Sequence, residues 1–116
     1  MATAVEIVQQ YQHAFATGDS ATARALLADD LHFKGPFDEF NSADDYLQAT
    51  ARLAPIMKGV DVQKVIADGD DVVTIFDMRT TVAGTSSIAE WATVKGGKIA
   101  EIRAFFDARP FAAMFE

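Results

Sequence analysis

The sequence predicts an α+β fold, with three N-terminal helices packed on a strongly curved antiparallel sheet that leaves a cone-shaped pocket open at one end. Three observations predict it. Apolar residues recur at helical spacing as far as Leu53, the period changes to two beyond Lys58, and compact turn signals separate the runs of period two. The first helix is marked by Thr3 and Glu6 at capping-box spacing and by Ile7, Val8, Tyr11, Ala14 and Phe15 along one face. Gly18 supplies a left-handed stop, and Asp19 or Ser20 caps a short second helix that buries Ala23, Leu26 and Leu27. Leu31 to Lys34 reads as a brief strand stopped by Gly35-Pro36. Ser42 with Asp45 starts a third helix whose stripe is Tyr46, Ala49/Ala50 and Leu53, ended by Pro55. Four strands follow, Val60 to Ala67, Val72 to Thr81, Ser86 to Val94 and Lys98 to Phe106. Asp68-Gly69-Asp70-Asp71, Ala83-Gly84-Thr85 and Lys95-Gly96-Gly97 are the turns between them.

Composition bounds the function. Residues 1–116 suffice for one domain and one core. Half of the residues are apolar and 23% charged, a globular balance. Ten Lys and Arg against seventeen Asp and Glu give a net charge of −7, which argues against nucleic acid or an anionic membrane as partner. With no cysteine, disulfides, thiol catalysis and cysteine-ligated metals are excluded. The opening MATAVEIVQQYQHAF is unlike a secretory leader and no run approaches a membrane span, so a soluble cytoplasmic protein is expected.

Val8-Gln9-Gln10-Tyr11, then Ala16-Thr17-Gly18-Asp19, then Leu26-Leu27-Ala28-Asp29-Asp30 resemble the opening of the nuclear transport factor 2-like superfamily. The closing run from Gly97 to Asp107 is similar to the last strand of its SnoaL-like branch. Relatives in that superfamily include ketosteroid isomerase, polyketide cyclases, limonene epoxide hydrolase and scytalone dehydratase. The resemblance covers nearly the whole chain and implies a cystatin-like roll with a ligand pocket, commonly a homodimer. It does not determine a reaction, because the scaffold hosts many chemistries.

Set against ketosteroid isomerase, the resemblance puts the oxyanion-hole tyrosine on Tyr11 and the oxyanion-hole acid on Glu90. It puts the general base on Gly35, before Pro36, and glycine cannot take a proton. Tyr11 also lies on the core stripe with Phe15, where a tyrosine packs its ring and finds one partner. Glu90 shares a strand face with Ile88, Ala92 and Val94; a register slip of one would instead turn Trp91 inward and leave Glu90 in solvent. No inward Lys or Arg accompanies Glu90, so desolvation should raise its pKa and keep it neutral, within hydrogen-bond reach of Tyr11 or a ligand. The epoxide hydrolase pattern fails, because its last-strand aspartate falls on Ala104, and Asp77 and Arg79 read as a surface pair.

His13 and His32 both read as exposed, although His32 reaches the pocket if its strand bends. No metal-ligand spacing appears, and Asp68, Asp70 and Asp71 read as a solvated turn. Asp107 is either a base or the cap of the turn Ala108-Arg109-Pro110. The expected pocket lining is Tyr11, Phe15, Phe33, Tyr46, Leu53, Phe76, Met78, Ile102 and Phe106, which suits a small hydrophobic or aromatic molecule. Two functions stay open: a cofactor-independent isomerase, cyclase or lyase using Glu90 and Tyr11, or a non-catalytic ligand-binding or dimerisation module. Outward Val73, Ile75, Trp91 and Phe105 predict a homodimer through the outer sheet face. The segment 109–116, with Phe111, Met114 and Phe115, is too apolar for a free tail and is expected to lid the pocket or cover the sheet.

Overall fold

A computed structural model describes residues 2–114, and the helix starts follow the caps in the sequence. In α1 (Ala4–Thr17) the Thr3 hydroxyl accepts from the Glu6 N–H at 3.2 Å, while the Glu6 carboxylate accepts from the Thr3 N–H at 3.1 Å. The helix ends on Gly18 at φ 74°, a left-handed conformation that glycine adopts without steric cost. Asp19 caps α2 (Ser20–Leu26), and Ser42 caps α3 (Ala43–Thr50), which tightens into a 3-10 turn over Ala51–Leu53 before Pro55.

The strands are β1 (Leu27–Lys34), β2 (Glu39–Phe40), β3 (Met57–Asp68), β4 (Asp71–Thr80), β5 (Thr85–Lys95) and β6 (Lys98–Phe105). They form one unclosed curved sheet in the order β2-β1-β6-β5-β4-β3. Register shifts that leave extra residues on β1, β3 and β6, of the kind that bends a strand, accompany the curvature. Three details depart from the sequence reading. β1 starts at Leu27 rather than Leu31, because Leu27 already pairs with Ile99 ahead of an irregularity that interrupts the hydrophobic alternation. The two-residue β2 is too short to show a period. The sheet is not wholly antiparallel either: β1 lies parallel to β6, which the long excursion through α3 and β3–β5 permits.

Period-two alternation sets the two faces of the sheet. Val72, Thr74, Phe76 and Met78 on β4, and Ser86, Ile88, Glu90, Ala92 and Val94 on β5, are all buried. Two apolar clusters result. In the larger, Ile7, Val8, Tyr11 and Ala14 of α1 pack on Val72, Ala92, Val94, Ile99 and Ile102. The smaller gathers Phe76, Met78, Ile88 and Phe111. Phe111 belongs to the 3-10 turn Arg109–Met114 and meets Phe106 edge-on, with ring centroids 5.7 Å apart. The C-terminal segment therefore returns to the inner face at Phe111; the Met114 side chain, Phe115 and Glu116 lie outside the described residues. No described helix is long and apolar enough to cross a membrane.

Candidate functional site

Glu90 stands where the two clusters meet. Along β5 it separates Ile88 of the smaller cluster from Ala92 and Val94 of the larger. Its cross-strand partners are Thr74 on β4 and Ala104 on β6, both small enough to leave room for a carboxyl. The residue is 9% exposed, and Trp91 takes the outer face, which settles the register in favour of an inward Glu90. One carboxyl oxygen accepts a 2.8 Å hydrogen bond from Gln12 Nε2 of α1. Burial disfavours the ionised form, the Gln12 bond opposes burial only in part, and the pKa is pushed up to about 7.

Glu90 lines a half-open cavity of about 110 Å³ between the helices, the sheet and the turn after β1. Of the residues expected in its lining, Phe15, Phe33 and Tyr46 stand on the helix and β1 side. Leu53, Phe76, Met78 and Phe106 complete the expected set that reaches it. Tyr11 and Ile102 do not. Ile102 is fully buried in the larger cluster between β1 and β5, because the cavity opens beyond the end of that cluster.

Tyr11 lies behind the cavity rather than in its lining. Its hydroxyl meets the Tyr46 hydroxyl at 2.5 Å, not Glu90, and its ring is buried behind the wall that Tyr46 forms. The tyrosine at the cavity wall is therefore Tyr46, supported by Tyr11. Burial is the main reason that both phenols resist ionisation, and the nearby Glu90 charge contributes to each. Gln12 Oε1 and Thr74 Oγ1, both buried, have no hydrogen-bond partner among the described residues. They complete a polar seam of Gln12, Thr74 and Glu90 inside an otherwise apolar interior.

Sequence reading missed Gln12 and Asp38. Val8, Gln12 and Phe15 follow the i, i+4, i+7 spacing of one helix face, so an inward glutamine was legible. Asp38 lies in the turn Gly35–Asp38, where the Gly35 N–H donates to the Asp38 carbonyl at 2.9 Å. That turn forms the cavity mouth, with Pro36 and Phe37 also in the lining. Gly35 itself lines the cavity, and a Cβ there would meet the Phe33 ring at 3.0 Å.

The remaining candidates sit elsewhere. Arg79 pairs with Asp61 across strands at 2.9 Å, while Asp77 accepts from the Ser87 hydroxyl at 2.8 Å. Asp71 is no solvated turn residue: it accepts from Trp91 Nε1 at 3.0 Å and from the Thr93 hydroxyl at 2.8 Å. Asp107 caps its turn, accepting from the Arg109 N–H and guanidinium, which hold its carboxyl at about 2. His13 is exposed. His32 is not free in solvent but 33% exposed between Glu39 and Glu101. Among the described residues no group of three or more His, Cys, Asp or Glu is arranged to hold a metal ion.

Residues 8–102 match the model of the SnoaL-like domain. The chain belongs to the SnoaL-like family. None of the curated proteins matches it. Among solved structures, the SnoaL-like chain is similar to a nuclear transport factor 2-like protein of unknown function from Cytophaga hutchinsonii. That pair shares 25% identity and a TM-score of 0.84 over 100% of this chain and 97% of the other. A Kribbella flavida protein provisionally assigned as a ketosteroid isomerase matches at 17% identity and TM-score 0.80, over 87% and 75% of the two chains. IdmH, provisionally a polyketide cyclase, from Streptomyces antibioticus matches at 19% identity and TM-score 0.81 over 97% of each. At these last two identities the likeness is one of fold.

Proposed function

We propose that the cavity binds a small aromatic or hydrophobic compound carrying a carbonyl or enol oxygen, and that neutral Glu90 donates a hydrogen bond to that oxygen. The observation that carries this reading is a buried carboxyl, poised near neutrality, facing an apolar cavity with one oxygen already engaged by Gln12. The protonated oxygen is then available to a ligand. A donor presented in a desolvated site stabilises developing negative charge far better than the same donor in water. Tyr46 is the second donor in this reading: when Tyr11 supplies the proton of the hydroxyl pair, the Tyr46 proton is free for the ligand. The size of the cavity limits the ligand. A cavity of about 110 Å³ is on the scale of the roughly 150 Å³ apolar cavity that admits benzene, so one ring is favoured over a steroid.

The reaction class this arrangement serves is cofactor-independent isomerisation, cyclisation or elimination through an enolate. Such a step needs a base, and Gly35 supplies none. Asp38, three residues along the same turn and in the lining, is the carboxylate available at the mouth. A second reading, a binding module with no turnover, is favoured by that same glycine. Titration with acetophenone separates the alternatives, using the Ile88 methyl as an NMR reporter. Binding should weaken as pH rises through about 7. In Glu90→Gln, whose amide still donates, the share of that fall carried by Glu90 should vanish, leaving a smaller change than in the wild-type protein. Binding that ignores pH in the wild-type protein would remove the neutral-acid role. Turnover of an enolisable aryl ketone that Asp38→Asn abolishes without weakening binding would decide for the enzyme.

A further inference from the structure

The mouth turn is tethered to the sheet by one titratable side chain. β2, the strand that closes the hairpin around Gly35–Asp38, has only two residues, paired Phe33↔Phe40 and Lys34↔Glu39. Packing adds the Phe33–Phe40 ring contact, with centroids 6.0 Å apart. The β1 arm is held by its ladder to β6, Phe33↔Ile102 and Lys34↔Arg103, and Phe40 packs against the larger cluster; the β2 arm is linked to β6 by charge through His32. Its Nε2 lies 2.6 Å from a Glu39 carboxylate oxygen on β2, and its Nδ1 lies 3.0 Å from a Glu101 carboxylate oxygen on β6. Both ring nitrogens thus face carboxylates. An imidazolium donates to both at once; a neutral ring has a single N–H and turns a lone pair towards one of the two anions.

We propose that His32 is a positioning residue for the cavity mouth, holding the Gly35–Asp38 turn closed as an imidazolium and loosening it when neutral. The charged groups around it come from each element packed there. Glu39 is on β2 and Glu101 on β6. Arg103 of β6 donates to the Glu101 oxygen that His32 also uses, at 3.2 Å, and Lys34 of β1 lies near Glu39. The hydrogen bonds to Glu39 and then Glu101 raise the His32 pKa above its usual 6.5, and bonds from His32 hold both carboxyls low. Both glutamates therefore stay ionised while His32 titrates. The tether is complete below about 6.5, where His32 is charged folded or unfolded, and is lost as pH rises through the folded value. The segment it holds carries Asp38 and Phe37 of the lining, so mouth order is coupled to pH independently of which ligand the cavity takes.

Amide hydrogen exchange on the full chain tests this. After correction for the intrinsic rate, protection of the Gly35 N–H, which bonds the Asp38 carbonyl, should fall several-fold from pH 6 to pH 9. Central β4 and β5 amides should not follow. In His32→Gln the Gly35 protection should be low and independent of pH. Glu39→Gln, at an exposed edge position, should also abolish the pH dependence and lower the His32 titration midpoint seen by NMR. The proposal is overturned if wild-type Gly35 protection is flat across the His32 titration, or if either variant keeps the same fall.

Discussion

Replacing Glu90 by glutamine isolates the energetic consequence of burying one carboxyl. The side chain keeps its shape and still accepts from Gln12 Nε2, but it no longer titrates. Raising a pKa from 4.5 to about 7 means that the folded protein holds the proton more tightly than the unfolded chain does. The favourable contribution is complete below 4.5 and is lost as pH rises through about 7. At roughly 1.36 kcal/mol per pH unit, ionising Glu90 in the folded state costs about 3 kcal/mol. Wild-type stability should therefore drop relative to Glu90→Gln by about 3 kcal/mol between pH 4.5 and pH 8. Urea unfolding at pH 4.5, 5.5, 6.5, 7.5 and 8, carried out on both proteins, reads this difference directly. His32 and the surface carboxylates titrate equally in the two proteins, so the difference between the curves belongs to position 90. Parallel curves across the range would refute the reasoning, because they require Glu90 to titrate as it does in water.

Tyr46→Phe and Tyr11→Phe each leave a buried hydroxyl without its partner and should each cost about 1–3 kcal/mol, whereas the double variant should cost much less than their sum; additive losses in denaturant titrations would show that the two hydroxyls are not coupled. Phe111→Ala should cost about 3–5 kcal/mol, because it empties the centre of the smaller cluster, and a loss within 1 kcal/mol would place Phe111 outside the core. The outer sheet face, where Phe105 is 56% exposed beside half-buried Ile75 and Trp91, is proposed to join two copies of the chain. Light scattering at micromolar concentration should give twice the chain mass, and a monomer mass there would remove the proposal. The unmodified protein should not isomerise a steroid enone, both for want of a base at Gly35 and for want of space; appreciable turnover would overturn that comparison.

Local sequence suffices for the helices, the four long strands and the faces they present. Caps at Thr3, Asp19 and Ser42 are local chemistry, in which a side-chain oxygen meets a backbone N–H within three residues, so no tertiary information is needed to find them. The inward placement of Glu90 was legible for the same reason: strand alternation is strict, and Ile88, Ala92 and Val94 mark the face. Which inward residues meet one another depends on long-range packing. Tyr11 and Tyr46 are far apart in the chain, and nothing in either helix says that their hydroxyls meet and leave Tyr46 at the cavity wall. Gln12 reaches Glu90 only because α1 crosses β5 at that height. Ile102 shares a face with Ala104 and Phe106, yet it packs in the larger cluster because the cavity begins one residue pair further along the strand. The two-residue β2, the parallel pairing of β1 with β6 and the tether through His32 are likewise products of long-range closure. Periodicity reports which side of an element faces the interior; the contents of that interior depend on how the curved sheet brings distant segments to the same depth.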